Sequence, residues 1–67
     1  MPKQLMNHVR DCREKIGLTQ QDVAGRVRVS RQTIVAIEKG NYTPSVALAL
    51  ELARLLRCSV EQLFFWQ

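Results

Sequence analysis

The sequence predicts an all-α domain of five short helices, and three observations carry that prediction. Apolar residues recur at three- and four-residue spacing along nearly the whole chain, as one face of a helix requires. Two stretches are preceded by a hydroxyl residue with Asp or Gln three positions on, the signature of a capping box. Only three glycines and two prolines interrupt the 67 residues.

The elements follow in order. Val9, Cys12 and Ile16 line one face of a first helix over residues 7–15, which Gly17 ends. Thr19-Gln20-Gln21-Asp22 caps a second helix over residues 20–27 that buries Val23, Ala24 and Val27. After a short turn at Arg28-Val29, Ser30 caps a third helix over residues 31–39, with Ile34 and Ile37 as its buried pair and Gly40 closing it. Thr43 followed by Pro44 reads as an N-cap and an N1 proline, starting a fourth helix over residues 44–56. Its apolar residues spread over roughly 220° of the helical wheel, more than one small domain covers, so some of Leu48, Leu52 and Leu55 are expected to face a second subunit. Ser59 and Gln62 box a fifth helix of one turn, and the chain runs out in Phe64-Phe65-Trp66, three aromatics that cannot all enter one core.

Composition narrows the function. A chain of 67 residues is one domain, residues 1–67, without a deep cleft between lobes. Ten Lys and Arg against six Asp and Glu leave a net charge of +4, which suits a polyanionic partner. No apolar run approaches the roughly 20 residues that span a bilayer, and no signal-peptide core follows the N-terminus, so a soluble cytoplasmic chain is expected. Cys12 and Cys58 are too few for a disulfide scaffold; with His8 as the one histidine, four zinc ligands cannot be assembled, and no metal or cofactor is expected. Cys12 reads as a small core hydrophobe and both thiols as reduced; nothing near Cys58 in sequence marks it as a redox sensor. Ser, His and carboxylates show no spacing for nucleophilic catalysis, so the chain is not read as an enzyme.

Two short helices joined by a tight turn form a helix-turn-helix unit. Ala24 is small where the helices cross, Val29 is the aliphatic of the turn, and Ile34 and Ile37 bury one side of the third helix. Arg31, Gln32, Thr33, Val35, Ala36 and Lys39 remain on the other, where long polar side chains at a helix start can reach base edges in a major groove.

Those residues, with Arg13-Glu14, Leu18-Thr19-Gln20, Val23-Ala24, the block Val29-Ser30-Arg31-Gln32-Thr33-Ile34, then Ile37-Glu38-Lys39-Gly40 and Pro44-Ser45, resemble the helix-turn-helix family of phage lambda repressor and Cro. The likeness spans residues 7–64, and the short length and aromatic ending resemble very small dimeric repressors of that family such as the cytolysin-operon repressor. The resemblance implies a sequence-specific regulator of transcription, a repressor, that binds an inverted-repeat operator in double-stranded DNA as a homodimer. It implies base readout by Arg31, Gln32 and Ala36 and backbone contacts from Gln20, Ser30, Thr33, Lys39, Asn41 and Tyr42. It further implies an internal ion pair between Arg13 and Glu38, and a short β-pairing of residues 5–7 with residues 64–66 that Pro2 limits at its start. The expected dimer interface is Leu52, Leu55, Phe64, Phe65 and Trp66. Arg28 departs from the family by standing at a turn position often held by glycine, where positive φ costs other residues on the order of 1 kcal/mol. A competing reading of the aromatic tail is an antitoxin or other subunit that docks on a protein partner.

Overall fold

The structure, a computed structural model, describes residues 3–67. The elements run β1 (Leu5–Asn7), α1 (Val9–Lys15), α2 (Gln20–Val27), α3 (Arg31–Lys39), α4 (Val46–Leu56), α5 (Val60–Leu63) and β2 (Phe64–Trp66). Five helices thus surround a core of Val9, Val23, Ala24, Val27, Ile34, Ile37, Leu52, Ala53, Leu56 and Leu63. The second, third and fifth helices lie where the apolar spacing and caps place them.

Caps decide the helix starts. Thr19 Oγ1 accepts from the Asp22 backbone N–H at 3.0 Å while Asp22 accepts from the Thr19 N–H at 2.9 Å, a reciprocal pair that satisfies two donors at the start of α2. Ser30 and Ser59 cap α3 and α5 in the same way, with Gln62 returning the bond at α5. The fourth helix starts two residues later than the Thr43-Pro44 pair predicts. Ser45 is its N-cap, its hydroxyl accepting from the Leu48 N–H at 3.1 Å, and Pro44 lies outside the helix. Both Thr43 and Ser45 could cap; the Ser45 side chain reaches a free helix donor.

The first helix also starts late. Asn7, placed by periodicity in α1, belongs to β1, because residues 5–7 have the β2 segment to pair with. The pairing is antiparallel, with Leu5 opposite Trp66, Met6 opposite Phe65 and Asn7 opposite Phe64, in agreement with the resemblance. Gln4 and Gln67 exchange backbone hydrogen bonds at 2.9 Å each and extend the ladder by one pair. The expected limit at Pro2 lies outside the described residues. Asn7 then fastens the ribbon to the helices: its Nδ2 donates to the Ile37 carbonyl at 2.9 Å and its Oδ1 accepts from the Val9 N–H at 3.1 Å.

One expected burial and one expected dimer contact are corrected. Ile16 is exposed, because α1 ends at Lys15 and the chain turns at Gly17 (φ 77°) before the next inward position. The buried positions of α1 are Val9 and, in place of Ile16, Arg13. Leu52 is completely buried in the chain's own core and is therefore unavailable as a dimer contact. The large exposed apolar residues of α4 are Val46 and Leu50, one helical turn apart on the same face. Among the described residues no helix is long and apolar enough to cross a membrane.

Candidate nucleic-acid interface

The turn between α2 and α3 fixes how the two helices meet. Arg28 takes the left-handed conformation (φ 61°, ψ 45°), its N–H bonding to the Ala24 carbonyl, and the Val29 N–H bonds to the same carbonyl at 3.0 Å. This left-handed closure gives the Ala24 carbonyl of the last turn of α2 two donors and reverses the chain in two residues. Val29 packs against the core from inside the turn, and Ala24 is fully buried, small enough to let the helices come together. The positive φ expected at Arg28 is present, with a non-glycine residue bearing the strain.

The first residues of α2 and α3 are brought together by a polar network. Arg31 Nη2 donates to Gln20 Oε1 at 3.1 Å, and Gln20 Nε2 donates to Glu38 Oε1 at 3.0 Å. Glu38 also accepts from Arg13, Nε to Oε2 at 2.7 Å and Nη2 to Oε1 at 3.2 Å, while Arg13 Nη1 donates to the Leu18 carbonyl at 3.0 Å. The Arg13 and Glu38 side chains are 10% and 5% exposed, so this is a buried, two-pronged ion pair. The hydrogen bond to Glu38 holds the Arg13 guanidinium above its already high range. A line of bonds therefore runs from α1 through Glu38 and Gln20 to Arg31 at the start of α3.

The remaining residues named from sequence divide into three groups. Arg31, Gln32, Lys39, Asn41 and Tyr42 are exposed, spread from the first turn of α3 to the loop after it. Thr33, Val35 and Ala36 are half-buried. Ser30 is already committed as a cap, its Oγ accepting from the Thr33 N–H and lying 3.0 Å from Thr33 Oγ1. Arg10, Gln20, Val35 and Lys39 line one shallow concavity whose buried members are Arg13 and Glu38. The face so formed presents amide, hydroxyl and cationic donors, and its one buried carboxylate is neutralised from within. Sequence reasoning missed the bond between Gln20 and Arg31: the two are 11 positions apart, and no local pattern pairs them.

At the other end of the molecule Phe64 packs on the core, Phe65 stacks on His8 with ring centroids 4.6 Å apart, and Trp66 is 65% exposed. His8 Nδ1 also lies 3.5 Å from Asp11.

Comparison with known proteins places this geometry. A helix-turn-helix family model matches residues 9–63, all five helices. A curated HTH-type transcriptional regulator of Methanothermobacter thermautotrophicus is 51% identical over 57 residues, 84% of this chain and 83% of that protein. The competence pilus inhibition repressor of Acinetobacter baylyi is 39% identical over 56 residues, 84% of this chain but 51% of the repressor. Among solved structures, the restriction-modification controller protein C.AhdI of Aeromonas hydrophila superposes with a TM-score of 0.75 at 25% identity, covering 82% of this chain and 83% of that one.

Proposed function

Because the chain belongs to the Cro/C1-type helix-turn-helix family of DNA-binding transcriptional regulators, we propose that it is a repressor that inserts α3 into the major groove of an inverted-repeat operator as a homodimer. The observation that carries this reading is the bond from Arg31 to Gln20. It orients the longest side chain at the start of α3 in advance and joins it to the first residue of α2, at the end of that helix favoured for phosphate. Arg31 then reads guanine and Gln32 adenine, each worth about 1–3 kcal/mol of discrimination, while Ala36 packs on a thymine methyl. Gln20, Ser30, Thr33, Lys39, Asn41 and Tyr42 hold the phosphates.

Repression is supported by the likeness to the competence pilus inhibition repressor. Homodimerisation is supported by the exposed Val46 (77%), Leu50 (57%) and Trp66 (65%), apolar area that a monomer leaves in water. With Leu52 withdrawn into the core, these residues join Leu55, Phe64 and Phe65 as the proposed contact.

Selection from a random duplex pool, with the recovered sequences re-bound at two salt concentrations, tests the reading. The expected product is an inverted repeat with half-site centres about 10 base pairs apart. If each subunit holds about four phosphates, log K falls with log salt at a slope of roughly −7. Arg31→Ala is expected to relax preference at one half-site position, and Lys39→Ala to weaken all sequences alike and flatten the slope by about one. Binding without an enriched sequence would overturn base readout by α3.

A further inference from the structure

Cys12 and Cys58 stand 46 positions apart on different elements, one inside α1 and the other just after α4. The fold brings them to one surface cavity, lined also by His8, Asp11, Lys15, Ile16 and Arg57. Both thiols are free and half-buried against the core. Burial first, and then the adjacent Cys12 thiol, hold the Cys58 thiol above its ordinary range. The backbone on either side is fixed: the Cys12 N–H bonds to the His8 carbonyl at 2.9 Å and the Cys58 N–H to the Ala53 carbonyl at 3.1 Å.

We propose that Cys12 and Cys58 are a reversible dithiol–disulfide site, closed by a small-molecule disulfide that enters this cavity. The lining carries two cations, Lys15 and Arg57, against one carboxylate, Asp11, and this positive balance favours an anionic oxidant of the glutathione disulfide type. One protein thiolate attacks a sulfur of the oxidant and expels the first small-molecule thiolate, leaving a mixed disulfide. The second protein thiol loses its proton to solvent and attacks the sulfur of its neighbour, expelling the second thiolate. The balance is two protein thiols oxidised to one disulfide and one small-molecule disulfide reduced to two thiols. The raised Cys58 thiol slows the chemistry without altering its end point, because oxidation removes both ionisable groups from a half-buried site. The cross-link ties α1 to the α4–α5 connection, and it stands independently of the DNA reading.

The test incubates the full chain with oxidised glutathione without denaturant, followed by intact-mass measurement and thiol titration. Expected are loss of both titratable thiols, a mass lower by two hydrogen atoms, no covalent dimer, and full reversal by dithiothreitol. Closing so long a loop is expected to raise the melting temperature by about 10 °C or more. Cys12→Ser and Cys58→Ser are each expected to stop at one retained glutathione. A wild-type chain that keeps both thiols, retains glutathione, links to a second copy, or gains no thermal stability would overturn the proposal.

Discussion

Replacing Glu38 with glutamine removes one charge from a side chain that accepts three hydrogen bonds: two from Arg13 at 2.7 and 3.2 Å and one from Gln20 at 3.0 Å. Glutamine keeps one acceptor and sets an N–H₂ donor against donors. The Arg13 guanidinium, with its side chain 10% exposed, keeps its charge and retains the Leu18 carbonyl. Breaking a buried pair by changing one member costs about 3–5 kcal/mol, since the other charge is left without compensation. The bond that survives argues for the lower end, about 3 kcal/mol. A domain of 67 residues has a total stability of about 3–10 kcal/mol at the usual per-residue range. The urea midpoint, followed by far-UV circular dichroism, is therefore expected to fall by about 3 M at a slope near 1 kcal/mol/M. The cycle with Arg13→Met separates the pair from the rest. The double variant is expected to lose at least about 2 kcal/mol less than the two single losses added, because neither charge is then stranded. Additive losses, or a Glu38→Gln cost below about 1 kcal/mol, would refute the claim that the pair anchors α1 to α3.

Other expectations follow from the caps and the turn. Arg28→Gly relieves a left-handed φ of 61° and is expected to raise stability by about 0.5–1 kcal/mol, read as a higher urea midpoint at unchanged slope. Ser45→Ala is expected to cost about 1 kcal/mol and Thr43→Ala less than about 0.5; the reverse order in chemical denaturation would return the N-cap of α4 to Thr43. The Thr19 backbone N–H, and then its hydroxyl, hold the Asp22 carboxyl below its ordinary range. A depressed folded pKa means the contribution is complete above the unfolded value of about 4 and is lost as pH falls through the folded value. Asp22→Asn is accordingly expected to flatten the part of the acid-unfolding curve below about pH 4, and an unaltered curve would place the acid sensitivity elsewhere.

Local chemistry determined much of this protein before any tertiary contact was considered. Thr19 with Asp22, Ser30, and Ser59 with Gln62 carry their helix starts within four residues, and Val23, Ala24, Ile34 and Ile37 carry their burial in their spacing. The surface on which Arg31 and Gln32 stand follows from those two facts. What local pattern could not settle were choices between neighbours of similar propensity and contacts across long separations. Thr43 and Ser45 are both competent caps, and the geometry of the loop before α4 selects Ser45. Asn7 could extend α1; the pairing partner 57 residues away claims it for a strand. Leu52 belongs to a wide apolar arc whose buried and exposed parts only the packing of the other helices divides. Arg13, a charged residue on a short helix, carries no sign of burial in its own spacing; its internal pairing with Glu38 comes only from the resemblance, and it is the closed fold that brings the two within 2.7 Å. The bond of Gln20 to Arg31 and the meeting of Cys12 with Cys58 arise in the same way: each joins groups with no local relation, and only the closed chain fixes the distance between them.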